Sequence, residues 1–143
     1  PTITPEPTLT RVSSESEEIL TYSQEAIPYL EDITEGLDIL SRMVTLLSEN
    51  ANLMFDGEYK SVLFGVLDKI HEHLSALVDV NPPSSMIRTN EYLKSGLFEF
   101  DLARSYFKSG LDNINPDDIE SATAHMNLFS EYIILATSEI KPK

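Results

Sequence analysis

Three histidines, His71, His73 and His125, are the side chains in this 143-residue sequence best suited to ligating a metal or carrying a proton near neutral pH. Cysteine is absent, which removes disulfides, thiolate zinc sites, iron–sulfur clusters and cysteine nucleophiles together. A carboxylate-bridged di-iron bundle takes a Glu from each of two helices and Glu-x-x-His from two more. The chain offers one related spacing, Asp68-Lys69-Ile70-His71. His71 and His73 are two residues apart, so on a helix they point roughly 200° away from each other and cannot clamp one ion. His125 stands beside the apolar seam of the last helix, and no Met/His pair is marked for haem. The reading is three hydrogen-bonded flank histidines, with no metal and no cofactor.

Carboxylates and serines are plentiful, yet no catalytic frame surrounds any of them. There is no Gly-x-Ser-x-Gly elbow, phosphate loop, dinucleotide fingerprint or zinc-protease helix motif, and five glycines leave little material for strained turns. A non-enzymatic protein with no catalytic residues is expected. Between Arg11 and Arg42 the sequence carries acids but no Lys or Arg, and Glu31, Glu35 and Asp38 share one helical face. Helical carboxylates at this spacing do not form the compact turn a calcium loop needs. They read as a solvated face, or as an acidic docking face for a basic partner. With 24 acids against 10 Lys and Arg, the formal charge of −14 opposes binding to nucleic acid and to anionic membranes. No apolar run approaches the roughly 20 residues that span a bilayer, so no membrane insertion is expected.

The elements that would position these residues are helices. Ile19, Tyr22, Ala26, Leu30, Ile33, Leu37, Leu40, Val44, Leu47, Ala51 and Met54 alternate steps of three and four, the seam of a long first helix. Ser14 and Glu17 form a capping box for its start. The period runs through Pro28 without a phase change, which predicts one continuous, kinked helix whose part before Pro28 overhangs the bundle. Ile39, Leu46 and Leu53 add a heptad-spaced flank and predict deeper enclosure of the second half. Asn50, Asn52, Asp56 and Gly57 make a turn. A second helix carries Tyr59, Leu63, Val66, Ile70, Leu74 and Leu77, and ends at Asn81-Pro82-Pro83. A third, from about Ser84 to Leu111, shows Leu93, Leu97, Phe100, Ala103 and Phe107. Asn115 as cap, Pro116 at the first position and Asp117 and Asp118 in the first turn open a fourth that runs to about Glu139.

Four helices of comparable length joined by short turns predict an all-α fold, an up-down-up-down antiparallel four-helix bundle over residues 14–143. Residues 1–13 read as an extended Pro/Thr-rich tether, and the absence of an initiator Met predicts a processed or anchored precursor. No Asn stands in an Asn-x-Ser/Thr acceptor pattern. On the third helix Gly96, Ala103 and Gly110 recur every seven residues, a close-packing edge in preference to a ligand groove. Phe98, Leu102 and Tyr106 lie opposite the inner face, Leu128 and Leu135 sit off the seam of the fourth helix, and the antiparallel hairpin brings Leu102 and Leu128 to similar heights. Together they form a candidate interaction patch for a protein partner or for self-association. The function read from the sequence is a non-enzymatic, extracytoplasmic binding module, secreted or membrane-tethered, with a cytoplasmic location as the alternative. A small-molecule-sensing bundle is the second reading.

Overall fold

The computed structural model describes residues 5–140, with side chains placed from residue 14 onward. It is an all-α bundle of four helices: α1 (Pro5–Glu49), α2 (Gly57–Asp79), α3 (Ile87–Asp112) and α4 (Pro116–Ile140). Short 3-10 helices, Ala51–Phe55 and Ser84–Met86, fill the first two connections. Side-chain contacts pair Met43 with Tyr59, Asp68 with Arg104 and Arg88 with Glu139, so successive helices run antiparallel.

Local chemistry explains the boundaries. Asp56 accepts from the amides of Glu58 and Tyr59 and so caps α2, while the Asn115 side chain accepts from Asp117 at the head of α4. Pro116 then occupies the first helical position, where its missing N–H is not needed. The start of α1 differs from the Ser14 expectation, because helical geometry begins at Pro5 and takes in most of the segment read as extended. Prolines in a first turn cost no hydrogen bond, so Pro5 and Pro7 are compatible with a helix end. Residues 1–4 of the expected tether lie outside the described residues.

α1 is continuous through Pro28. Its 45 residues span about 67 Å against about 35 Å for the 23 residues of α2. The overhang is shorter than predicted: Tyr22 and Ala26 are already buried, with Tyr22 lying beside the Asn81–Pro83 turn. Exposure sets in at Ser14–Glu18. The expected enclosure of the second half is also corrected, since Ile39 and Leu46 are exposed on the outer side of α1 and only Leu53 packs against the core. Four helices enclose one core, and the α1 flank that carries Ile39 and Leu46 lies outside it, with Ile39 on the open cleft between α1 and α2.

The core joins all four seams, with Ile33, Leu40, Leu63, Leu74, Leu93, Phe107 and Phe129 fully enclosed. α3 and α4 pack most closely. Gly96, Ala103 and Gly110 face α4, where Ala122 and Ala136 are equally buried, and Phe129 lies against Gly96 and tilts onto Phe100 with ring centroids 5.1 Å apart. A Cβ on Gly110 would come within 2.7 Å of Ile119. The small-residue edge therefore serves close packing. On the other side of the bundle, Gly36 lets Ile70 of α2 approach the α1 backbone.

The turn into α4 stores strain. Asn115 N–H donates to the Gly110 carbonyl at 2.8 Å, closing the end of α3 in a Schellman arrangement that needs a left-handed residue between helix and cap. That residue is Ile114, at φ 51°. A β-branched side chain there costs about 1–2 kcal/mol, and Ile114 is largely exposed. Ile114→Gly is expected to raise stability by about 1 kcal/mol, or roughly 2–4 °C in melting temperature. An unchanged or lower melting temperature in calorimetry would refute the strain.

Candidate functional site

The three histidines each face a carboxylate on a neighbouring helix. His71 Nδ1 lies 2.7 Å from Asp101 of α3, His73 Nδ1 lies 3.7 Å from Asp32 of α1, and His125 Nδ1 lies 2.6 Å from Glu99 of α3. These are inter-helix ties. Among the described residues no group of three or more His, Asp or Glu converges on a point that could hold a metal ion.

Around His71 the tie widens into a network across α2 and α3. Arg104 Nε and Lys108 Nζ both donate to Asp68 Oδ1, at 3.0 and 2.9 Å, and Arg104 also reaches Asp101. Lys108 lies over the Phe64 ring at 5.7 Å. The hydrogen bond from Lys108, with Arg104 behind it, holds the Asp68 carboxyl below the usual carboxylate range. At the opposite end of the bundle Glu139 bridges α4 to α3: Thr89 donates to one oxygen and Arg88 to the other, at 2.6 Å. Those two bonds, that of Thr89 foremost, lower the Glu139 pKa. Tyr59 clasps α1 to α2 through a 2.6 Å hydrogen bond to the Met43 carbonyl, and burial raises its pKa. Tyr22 is likewise raised by burial, and its hydroxyl is the one buried side-chain polar atom without a partner among the described residues.

The expected interaction patch is distributed unevenly. Phe98 is 65% exposed, Leu128 42% and Leu135 44%. Leu102 and Tyr106 are half-buried, and Tyr106 stacks on His125 with ring centroids 5.5 Å apart and planes within 4°. The Glu99–His125–Tyr106 chain thus fixes one aromatic face beside the exposed residues. Helical phase places Leu102, Tyr106, His125, Leu128 and Tyr132 along the outer side of the α3–α4 hairpin. Tyr106 is thus a half-buried wall of that side.

The acidic face remains in water. Glu31, Glu35 and Asp38 are exposed, and Asp38 pairs with Arg42 at 2.7 Å on the same helix. Glu35 and Asp32 rim a cleft of about 480 Å³ between α1 and α2, opposite Lys69 and His73, with Ile39 and Val62 on its walls. Sequence reasoning missed a different feature, a groove along α1 and α4. Its signal was the uncharged flank Ser41, Thr45, Ser48 beside the α1 seam and Thr123, Asn127, Ser130 beside that of α4, unusual in so acidic a chain.

No protein-family model, curated protein or solved structure matches this chain. Fold and side-chain geometry therefore carry the functional reading by themselves.

The Asp68 network predicts a pH signature. A carboxyl whose folded pKa is lowered contributes stability above its unfolded pKa, near 4, and loses that contribution as pH falls through the folded value. Asp68 is half exposed, so screening limits the contribution to about 0.5–1 kcal/mol. Asp68→Asn should be less stable than wild type by that amount at pH 7 in urea titrations, with the gap closing below about pH 4. A gap that persists at pH 3 would assign the loss to packing.

Proposed function

We propose that this chain is a non-enzymatic interaction module whose outer α3–α4 face docks another protein, held through its N-terminal Pro/Thr-rich segment on the extracytoplasmic side of a membrane. The observation that carries the docking reading is that Phe98, Leu128 and Leu135 are exposed on the two helices that the Tyr106–His125 stack joins. Large side chains left in water on one face favour association, and rigid aromatic walls lower the entropy cost of binding there. The surrounding charge supports discrimination among partners. A −14 chain repels acidic proteins and steers basic ones toward it.

The tether and the location rest on composition. Pro1–Thr8 holds three prolines and three threonines without an apolar period, as spacers between an anchor and a folded domain do. Helical geometry from Pro5 makes the early part of α1 a stiff extension of that spacer. Among the described residues no helix is long and apolar enough to cross a membrane.

Self-association is the form of docking that the purified chain itself can display. Phe98→Ser with Leu128→Ser changes two exposed positions, so circular dichroism should stay that of the wild type. Sedimentation at physiological salt should show association weakened at least tenfold, the equivalent of about 1.4 kcal/mol. A variant that associates as strongly as wild type, or a wild type that stays monomeric throughout the concentration series, removes the self-association form.

A further inference from the structure

The four seams of the bundle are closed by different means. Tyr59 and His73 tie α2 to α1, the Asp68–Arg104–Lys108 and His71–Asp101 contacts tie α2 to α3, and Glu139, His125 and Asp118 tie α4 to α3. Among the described side chains no hydrogen bond or ion pair joins α1 to α4. Along that fourth seam lie two cavities of about 230 and 410 Å³. Val44 and Thr123 line both, so the two form one groove.

The groove reaches into the core. Leu40 and Phe107 floor one half, Leu47 and Met54 the other, and all four are buried side chains. No charged residue lines either half, although 34 of the 143 residues are Asp, Glu, Lys or Arg. The hydroxyls on its walls are turned inward: Thr45 donates to the Ser41 carbonyl, Ser48 to Thr45 and Thr123 to Ile119. With those groups bonded to their own helices, the half between Val44 and Pro116 offers mainly methyl and methylene surface, while Ser41, Asn127 and Ser130 place uncharged polar groups along the other half.

We propose that this groove binds one neutral, single-chain lipophile, such as a long-chain alcohol or a linear isoprenoid, lying lengthwise between α1 and α4. Size decides against a partner helix. A helix about 10 Å across and about 20 Å long fills roughly 1,600 Å³, far beyond the space present, whereas a single hydrocarbon chain is slender enough to enter. On α4 the groove extends from Pro116 to Ser130, about 21 Å of helix, which suits an extended chain. Charge decides the head group. A carboxylate or phosphate would meet no Lys or Arg along the lining and would enter the field of a −14 chain, so an uncharged head is selected. The site is on a different face from the α3–α4 patch and is independent of what docks there.

The test uses the full chain and displacement of the neutral lipophilic dye Nile red by n-alcohols of increasing length. Binding should saturate at one alcohol per chain, tighten about fourfold for each added methylene while the groove fills, and then level off. The carboxylate of the same length should bind at least tenfold more weakly. Ser48 is exposed, so Ser48→Phe and Ser48→Glu should both fold by circular dichroism. Each should weaken the alcohol at least tenfold, the first by filling the groove and the second by placing charge in it. Phe98→Ser should leave it unchanged. The proposal is overturned by non-saturable binding, by equal affinity for alcohol and carboxylate, or by binding that survives both Ser48 variants. Loss of binding in Phe98→Ser would also overturn it, since the dye and alcohol would then be reporting the α3–α4 face.

Discussion

The close approach of α3 to α4 along its small-residue edge sets the geometry on which the bundle depends: a Cβ on Gly96 would just touch the Phe129 ring, and one on Gly110 would run into Ile119. A helix pair with Gly and Ala on its facing edges can draw its backbones closer than a Leu-lined pair can, and Ala103, Gly110, Ala122 and Ala136 extend that edge along the hairpin. On the opposite side Gly36 admits Ile70 and Tyr59 clasps the Met43 carbonyl, so α1 follows α2. The protein is thus two close hairpins joined through α2 and α3. A four-sided bundle whose α4 is drawn to α3 and whose α1 is drawn to α2 has one side left to open, and the groove along α1 and α4 occupies it.

The use of charge follows the same division. Basic residues are scarce at 10, and Arg104, Lys108 and Arg88 go to the α2–α3 and α3–α4 seams, where they neutralise Asp68, Asp101 and Glu139. The histidines supply ties of the same kind. Acids on the outer face of α1 receive little of this, Arg42 on Asp38 being a local pair. The surface therefore has three chemical regions: an acidic α1 flank, an apolar and aromatic α3–α4 face, and an uncharged α1–α4 groove. Each differs from the others in the chemistry it presents.

Much of the architecture was legible in the sequence. The three-four period of α1 marked Tyr22, Ala26, Ile33, Leu40 and Leu47 as core, and Asn115-Pro116 fixed the start of α4, because burial and capping act on residues close in sequence. The Gly96, Ala103, Gly110 edge was legible as close packing for the same reason. What failed depended on relations between helices. Ile39 and Leu46 fit a heptad but lie outside the enclosed core, and Leu102 and Tyr106, read as parts of an outward patch, are half-buried, Tyr106 against the His125 ring. The groove was hidden because Leu37 and Val44 read as ordinary seam residues, and the separation of α1 from α4 is set by the other three seams. At the N-terminus, prolines that suggested an extended segment are equally at home in a first helical turn.

The most direct test of the account is a pair of distance distributions between spin labels, which the absence of native cysteine makes unambiguous. Thr34 with Thr137, one heptad beyond the groove residues Ser41 and Ser130, spans the α1–α4 side, and Ser105 with Ala124 spans the α3–α4 side, all four positions being exposed on helices. With no polar tie and a gap along its length, the α1–α4 side should give a distinctly broader distribution than the close-packed α3–α4 side. It should narrow when a long-chain alcohol is added, while the α3–α4 distribution stays as it was. Two equally narrow distributions, unchanged by the alcohol, would contradict the division of the bundle into two close hairpins with one open seam.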